Sequence, residues 1–308
     1  MNVLVAGGTG FIGQNLCREL RDRGHEVTAL SRNPDPDSVP EGVETAVGDV
    51  GAYDSIAETV AAHDAVVNLV ALSPLFDPPS GLSHEGVHLD GTKNLVRAAE
   101  EGDTPRFIQM SGLGVDPDAP TEYLRTKGLA EEVVQDSSLE WTIFCPSVVF
   151  GEGGEFVGFT KLLTTPYITG LPGGGKTPFQ PIWVGDLVPM MADALEDERH
   201  AGKSYEIGGP EVLTMKEVAK LAYKADGRPV KVLPVPMILA KFGLTMAGPI
   251  PFIPFGPDQA RSLKVNNTVE ENDIAVFGKS EAELRTLEDY LGLTESVSTQ
   301  PTAQSEAA

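Results

Sequence analysis

The sequence predicts an α/β fold in which a doubly wound parallel sheet is followed by a smaller C-terminal region. An apolar strand opens the chain and runs into three glycines spaced three residues apart. Strand and helix patterns then alternate up to about residue 150, as they do when helices cover both faces of a parallel sheet. The 308 residues, 41% of them hydrophobic, suffice for one large domain with a smaller addition.

The glycine-rich stretch at residues 2–13, NVLVAGGTGFIG, has the spacing of a phosphate-binding turn. Gly7 allows a tight turn, Gly10 lets backbone approach a pyrophosphate, and Gly13 lets the next helix pack closely on the strand. The amides at the helix N-terminus then point at the anion. A surface turn is the alternative, but the place after an N-terminal strand favours a dinucleotide site of the Rossmann type. Its expected residues are Gly7, Thr9, Gly10, Phe11, Ile12 and Gly13.

The second strand decides which dinucleotide is expected. A helix at 14–23 precedes it and ends at Gly24. The strand EVTALSR ends in Ser31 and Arg32, about 20 residues after the glycines, where the adenosine ribose is bound in such folds. A hydroxyl and a guanidinium suit the 2′-phosphate of NADP, whereas an acidic residue would favour NAD. The alternative is an arginine that starts an exposed loop, and we favour NADP(H) over NAD(H).

The third and fourth strands add candidates for the same cleft. The third ends near Asp49 and Val50, before a helix at about 54–62. Asp49 either accepts a hydrogen bond from the adenine amino group or caps the next turn. The apolar run AVVNLVA is typical of a strand buried on both faces. Val70 and Ala71, at its carboxyl end, are expected to line the cofactor cleft.

Two histidines lie four residues apart in a helix expected at 83–101. His84 and His88 could bind a metal together, but no third ligand or HExxH motif accompanies them. We therefore expect both side chains on a solvated helix face, and we expect no metal site.

The fifth strand and the helix after it carry the candidate catalytic residues. Ser111 follows the strand PRFIQM, at the edge where ligands gather in open α/β sheets. Tyr123 and Lys127 lie four residues apart on one face of a helix that begins near Thr121. A phenol can exchange a proton near neutral pH when a neighbouring cation stabilises its phenolate. The spacing therefore predicts a catalytic group of Ser111, Tyr123 and Lys127.

The alternation of strands and helices dissolves after the sixth strand. Pro146 and Val148 follow that strand, and we expect them to wall the nicotinamide site. Residues 152–176 are expected to be rich in loops, with a short helix near 156–163. The run Gly173–Lys176 lacks the first glycine and the hydroxyl of a P-loop, so we interpret it as a flexible lid or a hairpin turn.

The remaining elements are predicted from caps and periodicity. Asp186 is the expected N-cap of a helix, the run TMKE opens another helix with a capping box, and a last helix is expected at 280–291. Residues 230–257 are mostly apolar, but prolines interrupt them too often for a membrane span. They could form the core of a small domain, a roof over a substrate pocket or a docking surface.

These patterns divide the chain into three parts. They are a nucleotide-binding core at 1–150, a mixed region at 151–293 and a disordered tail at 294–308. Within the mixed region, about 177–208 return to the sheet and another part forms a small C-terminal substrate or cap domain.

The chain is strongly acidic, with 23 basic and 45 acidic residues and a net charge of −22. The acidic residues are dispersed, so the surface would repel nucleic acid and would suit a cytosol at very high salt. Cys17 and Cys145 each fall in a predicted buried element, which indicates free thiols in a reducing cytoplasm. We expect no secretory signal, because the first residues already form a strand.

The motifs GGTGFIG, CPSVVFG, PIWVGDL and YEIGGPE, together with Ser111 and the YLRTK segment, make the chain resemble the short-chain dehydrogenase/reductase superfamily over nearly its full length. SGLGVD and YLRTK make it similar to an atypical NAD(P)-binding group that includes the 39 kDa accessory (alpha subcomplex 9) subunit of respiratory complex I. The resemblance implies that Ser111 orients a substrate carbonyl or hydroxyl and that Tyr123 exchanges its proton. It also implies that Lys127 holds the nicotinamide ribose and lowers the pKa of Tyr123.

Two functions follow from this resemblance. One is an NADP(H)-dependent oxidoreductase, epimerase or dehydratase acting on a small molecule, for which a lipophilic substrate is an option. The other is a non-catalytic NADPH-binding accessory subunit that docks onto a membrane-associated redox complex through residues 230–257, peripheral to the membrane. Cys145 stands where relatives carry arginine, and Ser111 and Tyr123 are closer together than in typical sugar-nucleotide epimerases. The substrate need not be a nucleotide sugar, and a homo-oligomer is an open alternative.

Overall fold

A computed structural model describes residues 1–74, 76–235 and 267–294. Its strands are β1 (Asn2–Ala6), β2 (Glu26–Ser31), β3 (Glu44–Val47), β4 (Ala65–Asn68), β5 (Arg106–Met110), β6 (Glu140–Pro146), β7 (Val149–Phe150), β8 (Tyr167–Pro172), β9 (Pro178–Phe179), β10 (Ile182–Trp183), β11 (Lys203–Ile207), β12 (Leu213–Thr214) and β13 (Val230–Val235). Its α-helices are α1 (Phe11–Asp22), α2 (Ala57–Ala61), α3 (Gly91–Glu101), α4 (Glu122–Gln135), α5 (Glu155–Leu163), α6 (Val184–Glu196), α7 (Met215–Ala225) and α8 (Leu287–Tyr290).

A seven-stranded parallel sheet forms the centre of the molecule, in the order β11-β6-β5-β4-β1-β2-β3. Successive side chains of a strand point to opposite faces, so each buried strand supplies both layers of the core. Val3 and Val5 pack with residues of α1 and α6, whereas Leu4 and Ala6 pack with residues of α2, α3 and α4. The predicted doubly wound, Rossmann-type α/β fold is confirmed.

A smaller region is built from the second half of the chain around its own apolar cluster. Three two-stranded pairs, β7 with β10, β9 with β12 and β8 with β13, surround this cluster. Its buried members are Phe150, Phe156, Leu171, Phe179, Met215, Val218 and Leu287. Within the stretch predicted to return to the sheet, only β11 pairs with a strand of the main sheet.

Residues 267–294 run back across both parts. The Asn267 side-chain oxygen accepts hydrogen bonds from the Ser147 hydroxyl and the Val148 amide, at 2.6 and 3.0 Å. Ile274 and Leu284 then enter the core beside α1 and α6. This segment therefore fastens the carboxyl end of β6 to the smaller region.

Two predicted helix signals are wrong in position. Trp183, not Asp186, is the N-cap of α6, and the Asp186 carboxylate instead accepts a hydrogen bond of 2.8 Å from the Arg285 amide. The helix expected at 280–291 is divided into a 3₁₀ turn and α8. The division has a packing reason, because Leu284 enters the core of the main sheet whereas Leu287 enters the cluster of the smaller region.

Other local predictions are confirmed or refined. The Thr214–Glu217 capping box is present, and Gly24 has a φ of +89° just beyond α1, as expected of a C′ glycine. The turn at Gly173–Lys176 connects β8 and β9, which pair with other strands, so it is not a hairpin turn. Its interpretation as a lid remains a prediction.

The predicted apolar stretch 230–257 begins as β13, and its residues 236–257 lie outside the described residues, as does the tail from 295. Within the described ranges, no helix combines the length and the apolar character needed to cross a membrane.

Candidate functional site

The glycine turn between β1 and α1 has the close approach that its sequence predicts. Gly7 has a φ of +82°, which favours glycine, and its amide donates a 2.9 Å hydrogen bond to the Leu30 carbonyl of β2. A β-carbon placed on Gly13 would lie 2.2 Å from the Gly7 carbonyl oxygen, so any side chain there would push the helix off the turn. The predicted reasons for both glycines are confirmed.

The N-terminus of α1 is open toward the carboxyl edge of the sheet. Its N-cap is Gly10, no side chain caps it, and its first turn holds no acidic residue. Thr9 and Ile12 are half-buried, and the Phe11 ring packs against the turn after β7, where a β-carbon on Gly154 would lie 3.0 Å away. Uncapped amides and the positive end of the helix dipole together form a cradle for an anion.

The end of β2 presents the predicted hydroxyl and guanidinium beside this turn. The Ser31 hydroxyl is buried and has no hydrogen-bond partner among the described residues. Arg32 is exposed and forms no ion pair with any residue that the structure describes. Both groups are therefore available to a ligand.

Asp49 has one of the two roles predicted for it. Its side-chain oxygen accepts a 2.9 Å hydrogen bond from the Gly51 amide, so it caps the turn after β3. The neighbouring Val50 is buried against α3, where a β-carbon on Gly91 would lie 2.7 Å from it. The structure therefore gives Val50 a packing role against α3 and Asp49 a capping role, and the contact of Asp49 with the adenine stays a prediction.

The loop after β4 lies directly on the glycine turn. A β-carbon on Gly7 would come within 3.1 Å of the Leu69 backbone. The Val70 amide donates a 3.1 Å hydrogen bond to the Asn68 side chain, and Ala71 is exposed. The predicted cofactor-facing position of Val70 and Ala71 thus agrees with their place at the shared carboxyl edge of β1 and β4.

Ser111, Pro146 and Val148 lie at the carboxyl ends of β5 and β6. The Ser111 amide donates a 2.7 Å hydrogen bond to the Phe144 carbonyl, and the Pro146 carbonyl accepts one of 3.1 Å from Leu113. The Ser111 hydroxyl is buried and makes no hydrogen bond of good geometry within the described ranges. A buried hydroxyl of this kind is available to a substrate oxygen.

Lys127 and Tyr123 meet on α4 as their spacing predicts. The Lys127 side chain is only 3% exposed; its ammonium donates a 2.9 Å hydrogen bond to the Met110 carbonyl and lies 5.8 Å from the centre of the Tyr123 ring. Burial lowers the pKa of Lys127 to about 8 and raises the pKa of Tyr123 to about 12. The resemblance implied a lowered pKa for Tyr123, whereas burial raises this pKa.

The two histidines are not on a solvated helix face, and that prediction is wrong. His84 and His88 are 7% and 2% exposed, and both rings meet the Tyr123 ring edge to face, with centroids 5.7 and 5.3 Å from it. The chain here forms a π-helical turn at Glu85–Asp90 before α3. Burial lowers the pKa of His88 to about 2, and the positive charge of Lys127 makes a smaller contribution in the same direction.

Sequence reasoning could have found the burial of His88. Thr92, Leu95 and Ala99 follow it at intervals of four, three and four, and all of them are buried. This spacing marks one face of a helix, and His88 continues that face. The spacing of the two histidines suggests a metal site, but the apolar helix face on which His88 lies is the better indicator of its burial.

Glu131 is a residue of the site that the sequence did not indicate. It lies one helical turn beyond Lys127 and accepts a hydrogen bond from the Cys145 thiol at 3.3 Å. Burial raises the pKa of Glu131, while its interactions with Ser111, Cys145 and Lys127 act to lower it. Burial, and then the nearby Glu131, raise the pKa of the Cys145 thiol well above its ordinary value. The Cys145 thiol therefore keeps its proton at neutral pH.

The cleft is closed on one side by the smaller region. The Ser73 hydroxyl donates a 2.7 Å hydrogen bond to the Glu155 carboxylate at the start of α5. Phe76 meets Phe159 of the same helix edge to face, with ring centroids 5.7 Å apart. Over the described ranges, no group of three or more His, Cys, Asp or Glu side chains is arranged to hold a metal ion.

Comparisons with known proteins agree with this geometry. A family model described as NAD(P)H-binding matches residues 7–160. The chain is also 30% identical over 292 residues to the alpha subcomplex subunit 9 of the NADH dehydrogenase [ubiquinone] 1 of Arabidopsis thaliana, an alignment covering 87% of this chain and 71% of that one. The chain belongs to the NAD(P)H-binding, short-chain dehydrogenase/reductase family. Its Gly7 to Gly13 turn and its Ser111, Tyr123 and Lys127 group both lie within the matched residues.

One relative and one structural neighbour of the chain are enzymes by name. The chain is 27% identical over 258 residues to the NAD(P)H azoreductase of Xenophilus azovorans, covering 80% of this chain and 81% of that one. Among solved structures, the UDP-glucose 4-epimerase of Thermus thermophilus in complex with NAD has a TM-score of 0.64 at 21% identity, covering 86% of this chain and 97% of that one. The structural likeness confirms the fold.

The residues of this family member fit an NAD(P) molecule. The absence of side chains at Gly7 and Gly13 and the uncapped start of α1 form the cradle for a pyrophosphate. The unpartnered Ser31 hydroxyl lies where an adenosine ribose would be bound, and Lys127 has donors left over for the nicotinamide ribose. NAD(P) binding thus accounts for polar groups that the protein itself leaves unsatisfied.

Proposed function

We propose that this protein is an NADP(H)-dependent oxidoreductase that acts on a small molecule, with Ser111, Tyr123 and Lys127 as its catalytic group. Epimerase or dehydratase chemistry with retained nucleotide would use the same residues. One observation carries the proposal. The Lys127 ammonium lies 5.8 Å from the centre of the Tyr123 ring and donates a hydrogen bond to the carbonyl of Met110, the residue before Ser111 at the carboxyl end of β5.

The chain's own residues would orient the substrate and move one proton. Ser111 would donate a hydrogen bond to the substrate oxygen from the carboxyl end of β5, in place of its interaction with the Glu131 carboxylate. Tyr123 would give its phenolic proton to that oxygen as the carbonyl is reduced, or take it in the reverse direction. Bound NADP(H) would supply or accept the hydride at the substrate carbon. Lys127 would stabilise the phenolate that forms.

The preference for NADP(H) is argued from the end of β2. Ser31 presents a buried hydroxyl without a partner, and the exposed guanidinium of Arg32 forms no ion pair with a described residue. A 2′-phosphate would satisfy both groups through charge-assisted hydrogen bonds. The acidic residue that would bind a free 2′-hydroxyl is missing from both positions.

The test is a calorimetric titration in molar potassium chloride, with NADPH and separately with NADH, on protein first shown to be free of nucleotide. Turnover is then followed as NADPH oxidation with a panel of aldehydes and ketones. Tyr123→Phe should bind NADPH within about threefold of the wild type and lose at least about 100-fold in turnover. Tyr205→Phe is the matched control, because Tyr205 is hydrogen-bonded to His200 and packs in the apolar cluster beside α1 and α6. Equal turnover in both variants would refute the assignment of Tyr123.

A second candidate function is supported by the relationship to the Arabidopsis subunit, which extends over 87% of this chain. In this case the protein would hold NADPH permanently, as a non-catalytic accessory subunit of a membrane-associated NADH dehydrogenase-like complex. This second function predicts that the protein co-purifies with partner subunits from gently solubilised membranes. Recovery only as a free monomer or homo-oligomer would count against it. The proposed docking stretch, 230–257, lies largely outside the described residues.

A further inference from the structure

His88 joins three parts of the site through one imidazole ring. Its Nε2 accepts a 3.0 Å hydrogen bond from the Leu72 amide, in the loop after β4. Its Nδ1 lies 3.0 Å from the Thr126 hydroxyl on α4. His88 itself belongs to the π-helical turn before α3, a distortion that is frequent at functional sites.

These partners determine which ring nitrogen carries the proton. A backbone amide can only donate, so Nε2 of His88 must be unprotonated. In the neutral ring Nδ1 is then protonated and donates to the Thr126 hydroxyl. That hydroxyl in turn donates to the Glu122 or Tyr123 carbonyl, at 2.8 and 3.2 Å. The chain of donors runs in one direction, from the loop through His88 into the helix of Tyr123.

The surroundings of His88 agree with a neutral ring. The titratable and charged groups that face it are His84 on its own turn and Lys127 and Tyr123 on α4. No carboxylate in the described ranges forms an ion pair with His88 that would favour its charged form. A second positive charge beside the buried Lys127 would be unfavourable. The geometry and the charges therefore agree on one protonation state.

We propose that His88 is a positioning residue that, as a neutral imidazole with its proton on Nδ1, holds the Tyr123 helix in register with the cofactor-facing loop. The inference rests on the proposed function, since the loop containing Ala71 and Leu72 forms the cofactor side of the cleft. His88 touches neither cofactor nor substrate in this role. It determines where the Tyr123 ring lies, beside the ammonium of Lys127.

The protonation state can be measured without any ligand. In ¹⁵N-histidine-labelled protein, long-range ring-nitrogen correlations should show His88 as the neutral Nδ1–H form throughout pH 5–9, with His88→Gln identifying the signal. A ring that is protonated at neutral pH, or that carries its proton on Nε2, would overturn the proposal. This readout does not depend on whether the protein binds NADPH.

Three variants then separate positioning from packing. In His88→Leu the apolar volume remains but both hydrogen bonds are lost, and we expect NADPH to bind about tenfold more weakly because the loop must be ordered on binding. His88→Gln keeps an acceptor for the Leu72 amide and should stay within about threefold of the wild type. His200→Leu is the control, because His200 is also buried, at 7% exposed, but is hydrogen-bonded to Tyr205.

The ring of Tyr123 gives the second readout. ¹³C NMR of labelled tyrosine, assigned with Tyr123→Phe, should show its resonance and its titration altered in His88→Leu and restored in His88→Gln. His200→Leu should change neither NADPH affinity nor the Tyr123 signal, even if it lowers thermal stability. Unchanged NADPH affinity and Tyr123 titration in folded His88→Leu would reduce His88 to core packing. If the wild type binds no NADPH, the proposed function fails, while the NMR results still decide the role of His88.

Discussion

At the scale of single residues, burial decides the chemistry of the site. Lys127 is almost fully buried, no carboxylate pairs with it directly, and its ammonium is held by one carbonyl, that of Met110. This explains why its pKa falls to about 8, far enough for the proton to be mobile near neutral pH. A lysine kept in such a place costs stability, which active sites commonly accept for function.

The cost of burying Lys127 should depend on pH. Its pKa is about 8 in the folded protein and near the ordinary value of 10.5 in the unfolded chain. Between these values the unfolded chain holds a proton that the folded protein has released, so the unfolding free energy of the wild type rises with pH. Relative to Lys127→Met, the wild type should gain up to about 1.4 kcal/mol per pH unit in this window.

Denaturant unfolding of both proteins at several pH values from 7 to 10.5 measures this difference. We expect Lys127→Met to be the more stable protein at pH 7 and the advantage to shrink above pH 8. Curves that stay parallel over the whole range would contradict the lowered pKa.

Arg32 should determine the choice between the two nucleotides. Arg32→Asp replaces a cation by an anion next to the expected 2′-phosphate, and charge-assisted hydrogen bonds are worth about 1.5–3 kcal/mol, or about 10- to 100-fold in affinity. NADPH affinity should fall by at least that factor while NADH affinity stays within a few-fold. Arg18→Asp, the same charge change on the exposed side of α1, is the control. Calorimetric titration of the wild type and both variants with each nucleotide measures these affinities, and an equal loss for both nucleotides in Arg32→Asp would refute the assignment.

At the scale of elements, α1 illustrates how a glycine determines the place of a whole helix. The helix can approach the turn only because Gly13 presents no side chain to the Gly7 carbonyl. Its apolar side, with Leu16, Cys17 and Leu20 buried, then packs toward β1 and α6. The free end of the helix is thereby aimed at the site where the anion is expected.

Gly13→Ala should disrupt both stability and nucleotide binding. The added methyl group would overlap backbone that cannot move freely, so we expect a loss of about 2 kcal/mol or more and the loss of measurable NADPH binding. Gly158→Ala is the matched control, because a β-carbon there meets nothing within 4 Å inside α5. That variant should gain about 0.5–1 kcal/mol from helix propensity. Thermal unfolding and NADPH titration test both, and normal binding by Gly13→Ala would show that the turn has another purpose.

At the scale of the whole molecule, the dominant property is charge. The net charge of −22 comes from 23 basic and 45 acidic residues spread along the chain. Ion pairs such as Arg23 with Asp193 and Glu196 neutralise a part of the surface locally. The excess of carboxylates repels itself at low ionic strength, and this repulsion weakens as salt shortens the Debye length.

Stability should therefore rise with salt. At pH 7 we expect the melting temperature to increase by several degrees between about 0.1 and 2 M potassium chloride, because screening removes repulsion within the folded state. Near pH 5, close to the isoelectric point of 4.5, the same series should show a much smaller increase. Equal increases at both pH values would indicate a general salt effect on apolar burial rather than charge screening. Circular dichroism melting curves measure both series.

The residues of the site show how far sequence reasoning reaches. Local patterns of the sequence predict several parts of the site directly. They are the glycine turn, the strand ends at Ser31 and Ser111, and the spacing of Tyr123 and Lys127. The place of His88 depends on Leu72, 16 residues before it, and on Thr126, 38 residues after it. No local pattern encodes such partners, and periodicity alone could only indicate that the ring is buried.

By itself, the sequence determined the doubly wound fold, the phosphate-binding turn and the acidic surface, because these follow from periodicity, glycine spacing and composition. The tertiary structure alone decided that His84 and His88 surround Tyr123, that Glu131 meets Cys145, and that the last helix is divided between two cores. The physical reason is that each of these features depends on contacts between elements that lie far apart in the chain. Burial and hydrogen bonding across elements outweigh the local preference of any one segment.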